Sequence, residues 1–357
     1  MRKYYTRPCN FYYGSCANKL IKSKKALPLT GKNNLAFDKI EIFQRIKKKT
    51  KSEILSIKDI GNLESQKKEI IKKDIKSIIS KRKKILNLNF NHPQIMGILN
   101  VTPDSFSDGG LFFSKTKAYK QAKQIIKGGA IIIDIGGEST RPGSVTINEK
   151  IEWKRVKNVI EILKKKFPKI VLSLDSRKSF VIENGIKKGV RIINDVSGLN
   201  FDKKSFNIIN STKTPFILNH MQGSPNTMQV RPSYKDALLD IYDFFEKKIN
   251  FCKSKSYKTN FIIIDPGIGF GKNLKHNLRI LSKISIFHSL GCPILLGTSR
   301  KRFIEHIVTK FDTEQRIGGT LSSVLYGLSQ GVQLFRVHDV KEINQGILVF
   351  NKILSTN

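Results

Sequence analysis

The sequence predicts a (β/α)₈ barrel of the TIM type, preceded by a basic N-terminal accessory segment. Two observations carry this fold class. From Pro93 onward, eight short apolar runs alternate with amphipathic helical stretches over about 260 residues, the size and order of a closed α/β barrel. Each run also ends in polar residues or glycine, where such barrels gather their chemistry. A doubly wound open sheet is the alternative. It would usually open on a GxGxxG turn, and no such turn starts a helix here.

Residues 1–91 read differently from the rest, so the chain divides into a leader or small accessory domain at 1–91 and a barrel at 92–357. Phe37, Ile40 and Ile42 suggest one or two short strands after a Gly-Lys-Asn-Asn turn. From Glu64 to Leu88, Ile70, Ile71, Ile75, Ile78 and Ile79 recur at helical spacing with Lys between them, which predicts a basic amphipathic helix. No chemistry is evident in the leader. A solvated helix face with a tether is the plain reading, and a module for nucleic acid or an acidic partner is the alternative.

The barrel begins with QIMGILNVTPDSFSDGG (94–110). Ile95, Met96, Ile98 and Leu99 read as a strand buried on both faces. The polar loop after Asn100 runs to about Ser114, well beyond the two to six residues of an ordinary βα turn, and so points to function. The later runs are IIIDIGGE, IVLSLDS, VRIINDV, FILNHM, FIIIDPG, PILLGTS and VQLFRVHD. Between them lie stretches such as NEKIEWKRVKNVIEILKKKF, with an apolar stripe opposite Lys and Glu.

The 357 residues carry a formal charge of +37. Residues 1–90 hold 24 basic against 7 acidic residues, but the excess is chain-wide and mostly Lys. No recognition helix or aromatic-interleaved basic pattern accompanies it, so nucleic acid is not the expected partner, whereas an anionic substrate is favoured. Cys9, Cys16, Cys252 and Cys292 form no CxxC or Cys/His cluster, which fits a reducing, cytoplasmic setting without structural zinc. No run approaches 18 apolar residues, so no membrane span is expected, and the N-terminus lacks a secretory core.

The strand ends carry Asn100; Asp134 and Glu138; Asp175; Asn194 and Asp195; Asn219 and His220; Asp265; Ser299, Arg300 and Lys301; and Arg336, His338 and Asp339. Carboxylates in buried strands cost free energy unless paired or used. Asp134 and Asp195 are equally readable as core hydrogen-bonding groups. Asp265 could cap the turn at Pro266-Gly267 or accept from a ligand. Arg336 and His338 stand at i and i+2 of one strand and share a face, after strand eight, where barrels often hold phosphate. Asp175, Asn194, Asp265 and Lys301 supply acceptors and donors for a flat heterocycle with amide and amino edges. His220 and His338 stand alone, against a histidine metal site. A hard cation held by oxygen, diphosphate and water would need one or two protein ligands.

IMGILNVTPDSFSDGG, IIIDIGGESTRPG, INDVSGL, NHMQGSPNTMQ, DPGIGFGKN, GTSRKRF and RVHDV together resemble the dihydropteroate synthase family, in that family's order over about residues 93–350. Other pterin-binding barrels, including pterin-dependent methyltransferases, are similar and form the alternative. The resemblance implies a transferase joining 6-hydroxymethyl-7,8-dihydropterin diphosphate to 4-aminobenzoate, with release of diphosphate and use of Mg²⁺. It implies that Asp175, Asn194, Asp265 and Lys301 hold the pterin, with Met221 and Phe270 lining its slot. Asn100, Thr140, Arg336 and His338 would meet the diphosphate, and Asn100 also Mg²⁺. Phe106, Thr140, Arg141 and Pro142 would form the aminobenzoate site, where sulfonamides would compete. Asn100, Asp108, Arg141 and Lys301 are the residues expected to assist the chemistry, Asp108 by stabilising the cationic methylene. Three departures stand out: Arg302 follows Lys301 where many members carry Ser, Ser176-Arg177 follows Asp175 where Thr is common, and the leader is long. Oligomeric state does not follow from the sequence, although many such barrels form homodimers.

Overall fold

The computed structural model describes residues 3–47, 49–102, 111–139, 143–224, 226–308 and 312–356. Eight parallel strands form the barrel: β5 (Gln94–Asn100), β6 (Ile132–Gly136), β7 (Val171–Asp175), β8 (Ile192–Asp195), β9 (Phe216–Asn219), β10 (Ile262–Asp265), β11 (Leu295–Leu296) and β12 (Leu334–Val337). They pair in the order β10-β9-β8-β7-β6-β5-β12-β11. A parallel bridge between Ile264 and Ile294 joins the two ends of that order. All eight apolar runs are therefore the barrel's strands.

Around them lie α3 (Leu111–Lys127), α4 (Glu149–Lys166), α5 (Ser179–Lys188), α6 (Lys203–Thr212), α7 (Ala237–Ser254), α8 (Leu274–Ser282), α9 (Arg302–Val308), α10 (Ile317–Ser329) and α11 (Val340–Ser355). Helix α4 shows how the sequence specifies them. Asn148 accepts the Lys150 N–H, Glu149 and Glu152 occupy the first turn, and Lys164, Lys165 and Lys166 the last, so cap and charges match the helix dipole. Its buried stripe is Val156, Val159, Ile160 and Leu163. Each such side chain contributes about 1.5–3 kcal/mol on leaving water.

Strand alternation divides the barrel interior into two levels. Met96, Ile132, Val171, Ile192, Ile217, Ile263, Leu295 and Leu334, one from each strand, form a single buried apolar layer. Two residues further along the same face stand Ile98, Asp134, Ser173, Asn194, Asn219, Asp265, Gly297 and Arg336, six of the eight polar. The period of two thus puts an apolar floor beneath a polar mouth.

The leader corrects the expectation of one or two short strands and a helix reaching Leu88. It holds four strands: β1 (Tyr4–Tyr13), β2 (Leu27–Pro28), β3 (Leu35–Ile46) and β4 (Lys49–Ser56), with helices α1 (Gly14–Lys22) and α2 (Ser65–Ile79). β3 pairs antiparallel with the other three. One face of this sheet packs under α2 through Tyr4, Ile40, Ile42, Ile71 and Ile78. The other joins the barrel core through Tyr5 and Phe43. Tyr5 donates to Asp243 at 2.8 Å, and Arg45 spans Asp240 and Asp243 of α7 at 2.9 Å.

Helix α2 stops at Ile79 because Ile85 and Leu88 serve a different purpose. They form a small antiparallel bridge and, with Phe90, pack into the apolar floor layer of the barrel. Arg82 ties the end of α2 down, donating to the carbonyls of Ser77, Ser80 and His288 at 2.8–2.9 Å. A cation at a helix C-terminus is favourable against the helix dipole, and Arg82 supplies one there.

Candidate active site

The polar level of the barrel is organised around Asp134. This fully buried carboxylate accepts from Ser173 Oγ at 2.6 Å, Asn194 Nδ2 at 2.8 Å and Arg336 Nε at 2.7 Å. Of the two readings left open for Asp134, the core hydrogen-bonding one describes its contacts. Arg336 crosses from β12 and also donates through Nη2 to Asp175 Oδ2 at 2.8 Å. The guanidinium therefore links three strands, and two of its nitrogens are already engaged by carboxylates. Burial pushes the Asp175 carboxyl above its ordinary range, Arg336 opposes this, and Asp134 adds to it.

Asp195 is a cap. Its Oδ1 takes the N–H and hydroxyl of Ser197, and its Oδ2 takes the N–H of Leu199. Asp265 is divided between its two readings. Oδ1 accepts the Gly267 N–H at 2.8 Å, closing the turn, while no described residue donates a hydrogen bond to Oδ2. Burial raises its carboxyl, with Lys301 foremost among the groups opposing it.

Lys301 donates to the Ile268 carbonyl and lies over the Phe270 ring, 4.2 Å from its centroid. Burial pushes its ammonium down to about 8, against the pull of Asp265. The expected slot residues Lys301, Phe270 and Asp265 are thus adjacent. Half-buried Met221 follows His220, whose backbone N–H bonds the Asp265 carbonyl at 3.0 Å. Asn100 is half-buried at the end of β5. A Cβ placed on Gly136 would lie 3.5 Å from Asn100 Oδ1 and 3.6 Å from Asp175 Cβ, so these side chains flank a bare glycine. His338 Nδ1 is 3.0 Å from Ser299 Oγ, which also accepts the His338 backbone N–H at 3.1 Å.

Other strand-end residues brace the mouth. Arg300 grips Asp339 through Nε at 3.0 Å and Nη2 at 2.5 Å. Glu138 takes Arg177 at 3.2 Å, Lys178 at 2.8 Å and the Ile147 N–H at 3.0 Å. Lys178 reaches on to Glu152 at 2.6 Å. Phe106, Asp108, Thr140, Arg141 and Pro142 lie outside the described residues.

Sequence reasoning passed over Ser173 and Lys272, and named Ser299 at a strand end without giving it a role of its own. The hydroxyls carry no distinctive spacing, and Lys272 looks like one more solvated lysine. In the structure Lys272 is buried, and its Nζ donates to the carbonyls of His220, Gly267 and Phe270 at 3.1, 2.8 and 2.9 Å.

Chemically, the mouth presents three buried carboxylates, Asp134, Asp175 and Asp265, against the cations Arg336 and Lys301. Carboxylate and amide acceptors suit the N–H edges of a flat ring, and the cations with His338 suit an anionic group.

Comparisons with known proteins agree with this geometry. The pterin binding enzyme family model matches residues 96–338. A dihydropteroate synthase of Escherichia coli K12 is 40% identical over 269 residues, 75% of this chain and 94% of that one. The crystal structure of Yersinia pestis dihydropteroate synthase with a sulfonamide drug superposes with a TM-score of 0.70 at 40% identity, covering 76% of this chain and 97% of that one. Xanthomonas albilineans dihydropteroate synthase with 4-aminobenzoic acid gives 0.70 at 34% identity, covering 74% and 94%. With this much of the barrel shared, the chain belongs to the dihydropteroate synthases of the pterin-binding enzyme family.

Proposed function

We propose that the barrel mouth condenses 6-hydroxymethyl-7,8-dihydropterin diphosphate with 4-aminobenzoate to give 7,8-dihydropteroate and diphosphate. The observation that carries this reading is the cluster of Asp175, Asn194, Asp265, Lys301 and Arg336 at the carboxyl end of the barrel strands. The neutral aniline nitrogen attacks the exocyclic methylene carbon, the C–O bond breaks, and its electron pair leaves with the diphosphate. The nitrogen then gives up its extra proton to solvent or to the departing diphosphate. Such a reaction needs positioning and charge compensation rather than a strong base.

In this scheme Asp175, Asn194 and Asp265 accept from the pterin, and Phe270 and Met221 bound its ring with Lys301. Arg336 and His338 compensate the diphosphate with Asn100 and Thr140. Ser299, by donating to His338 Nδ1, would keep the Nε2 proton available for an oxyanion. Phe106, Thr140, Arg141 and Pro142 would hold the aminobenzoate, and Asp108 would stabilise the developing cation. A sulfonamide, which copies the flat aniline with an acidic group opposite, would compete there, as the drug-bound Yersinia pestis relative suggests.

Mg²⁺ fits the oxygen chemistry at Asn100. The amide oxygen is a hard donor beside Gly136, and among the described residues no group of three His, Cys, Asp or Glu is arranged to hold a metal alone. Mg²⁺ would therefore be held by Asn100 with diphosphate and water oxygens, and would neutralise charge on the leaving group.

We assign residues 1–91 to an accessory unit and 92–357 to the catalytic barrel, with the 85–90 hairpin serving the barrel floor. A homodimer is supported by the exposed Leu348, Val349 and Ile353 on α11 beside Tyr326 on α10. A cytoplasmic setting is in keeping with four free cysteines, and no helix among the described residues is long and apolar enough to cross a membrane.

The test is product formation by the full chain. Given both substrates and Mg²⁺, it should yield one dihydropteroate per diphosphate released. Pterin diphosphate left unconsumed in the presence of 4-aminobenzoate would overturn the reading.

A further inference from the structure

The turns after β9 and β10 are in direct backbone contact. A Cβ on Gly267 would lie 2.1 Å from the His220 carbonyl oxygen, and one on Gly271 2.4 Å from that of Gln222. Both glycines have positive φ, 65° and 62°, so no other residue would sit there without strain. Tyr234 and Asn277 bond the second turn at the Gly271 carbonyl and the Gly269 N–H, and a buried lysine reaches both turns. Lys272, 2% exposed, directs its Nζ to the carbonyls of His220, Gly267 and Phe270 and lies 3.0 Å from His220 Nδ1.

Each of these acceptors belongs to a turn that presents a residue to the mouth. His220 precedes Met221, Gly267 is capped by Asp265, and Phe270 carries the ring beneath Lys301. A buried ammonium is costly unless its hydrogen bonds are satisfied, and the three carbonyls and the imidazole satisfy this one. Burial drives His220 far towards its neutral form, with Lys272 adding to the effect, so that Nδ1 serves as an acceptor. An apolar core residue could fill the same volume. It could not hold four atoms from two loops at hydrogen-bonding distance.

We propose that Lys272 is a positioning residue for the pterin slot, setting Asp265, Phe270 and Met221 by clamping the 220–222 and 267–271 turns together. This rests on the dihydropteroate synthase reading. The ammonium acts through these residues without touching substrate. Burial pushes the Lys272 ammonium well below the ordinary lysine range, Lys301 adds to this, and Asp265 opposes it.

The test compares the full-length wild type with Lys272→Met by calorimetry with bare pterin, by steady-state kinetics and by thermal melting. The variant should bind pterin about ten- to a hundredfold more weakly and raise KM for the pterin diphosphate in step, while KM for 4-aminobenzoate changes less than about threefold. Lys272→Gln, which keeps two N–H donors without the charge, should bind with intermediate affinity and shows the same ordering if the Met variant does not fold. Adding ethylammonium to Lys272→Ala should restore part of the pterin affinity, and ethanol should not. Unchanged pterin affinity in folded Lys272→Met, or equal affinities for the Gln variant and wild type, would overturn the proposal. Wild-type protein that neither binds pterin nor releases diphosphate would instead overturn the reading on which it rests.

Discussion

Arg336 on the last barrel strand and Asp175 on the third meet across the interior, with Nη2 2.8 Å from Oδ2. The same guanidinium holds Asp134 through Nε. An arginine that the sequence reading reserved for diphosphate therefore also fixes Asp134 and Asp175, the second of which the proposal places in the pterin slot.

Arg336→Ala should consequently harm more than phosphate recognition. Removing one partner of a buried ion pair costs about 3–5 kcal/mol, because the other charge is left without compensation. The melting temperature should fall, and affinity for bare pterin should drop along with affinity for the pterin diphosphate. Parallel melts and calorimetry with both ligands check this. A stable variant that loses only the diphosphate increment would assign Arg336 to the leaving group alone.

Lys301 gives the site a pH dependence at the alkaline end. Its folded pKa, lowered to about 8, lies below the ordinary 10.5, so the folded chain binds fewer protons than the unfolded chain between these values. For the free protein this contribution to stability rises as pH passes upward through that window. Ligand binding runs the other way, since the cation is lost above about 8. Affinity for bare pterin should fall there, and Lys301→Arg should move the fall to higher pH. A flat affinity profile from neutral pH to pH 9 would contradict a role for the charged form.

The barrel floor makes a separate prediction about stability. Leu88 is fully buried among residues from all eight strands, although it lies before the expected domain boundary. Leu88→Ala should cost about 2–5 kcal/mol, the range for a large-to-small change in a core. Turnover per folded molecule should stay the same, because the mouth is on the other level. By the same logic, a chain beginning at Asn91 should melt well below one beginning at Lys84. Equal melting temperatures would show that the hairpin is dispensable.

Much of this architecture was legible because both signals are local. Strand runs such as FIIIDPG and VQLFRVHD place an apolar residue and a polar one two positions apart, and that spacing alone stacks the mouth on the floor. The leader was harder to read because β1 is buried on both faces and its polar residues are satisfied at long range. Thr6 bonds Asp74, and Arg7 bonds Ser285, positions 68 and 278 residues away. Ile85 and Leu88 imitate helical spacing but close a hairpin. Lys272 was invisible for a related reason: its value lies in carbonyls that only the folded turns bring together. Asp134 could not be separated from the ligand-facing carboxylates until Ser173, Asn194 and Arg336 were seen to use its lone pairs.

Asp265 offers the most direct measurement of the central claim, that this interior level is a pterin slot. Its Oδ1 closes the turn at Gly267, and its Oδ2, to which no described residue donates, is the oxygen the proposal assigns to the ligand. In Asp265→Asn the amide oxygen can keep the turn, while the amide nitrogen meets a ligand donor with another donor. A buried polar group left unmatched costs about 1–3 kcal/mol. Calorimetry with bare pterin should therefore show roughly ten- to a hundredfold weaker binding than wild type, and the melting temperature of the free protein should be nearly the same. A lowered melting temperature with unaltered pterin affinity would make Asp265 a structural cap and contradict the account.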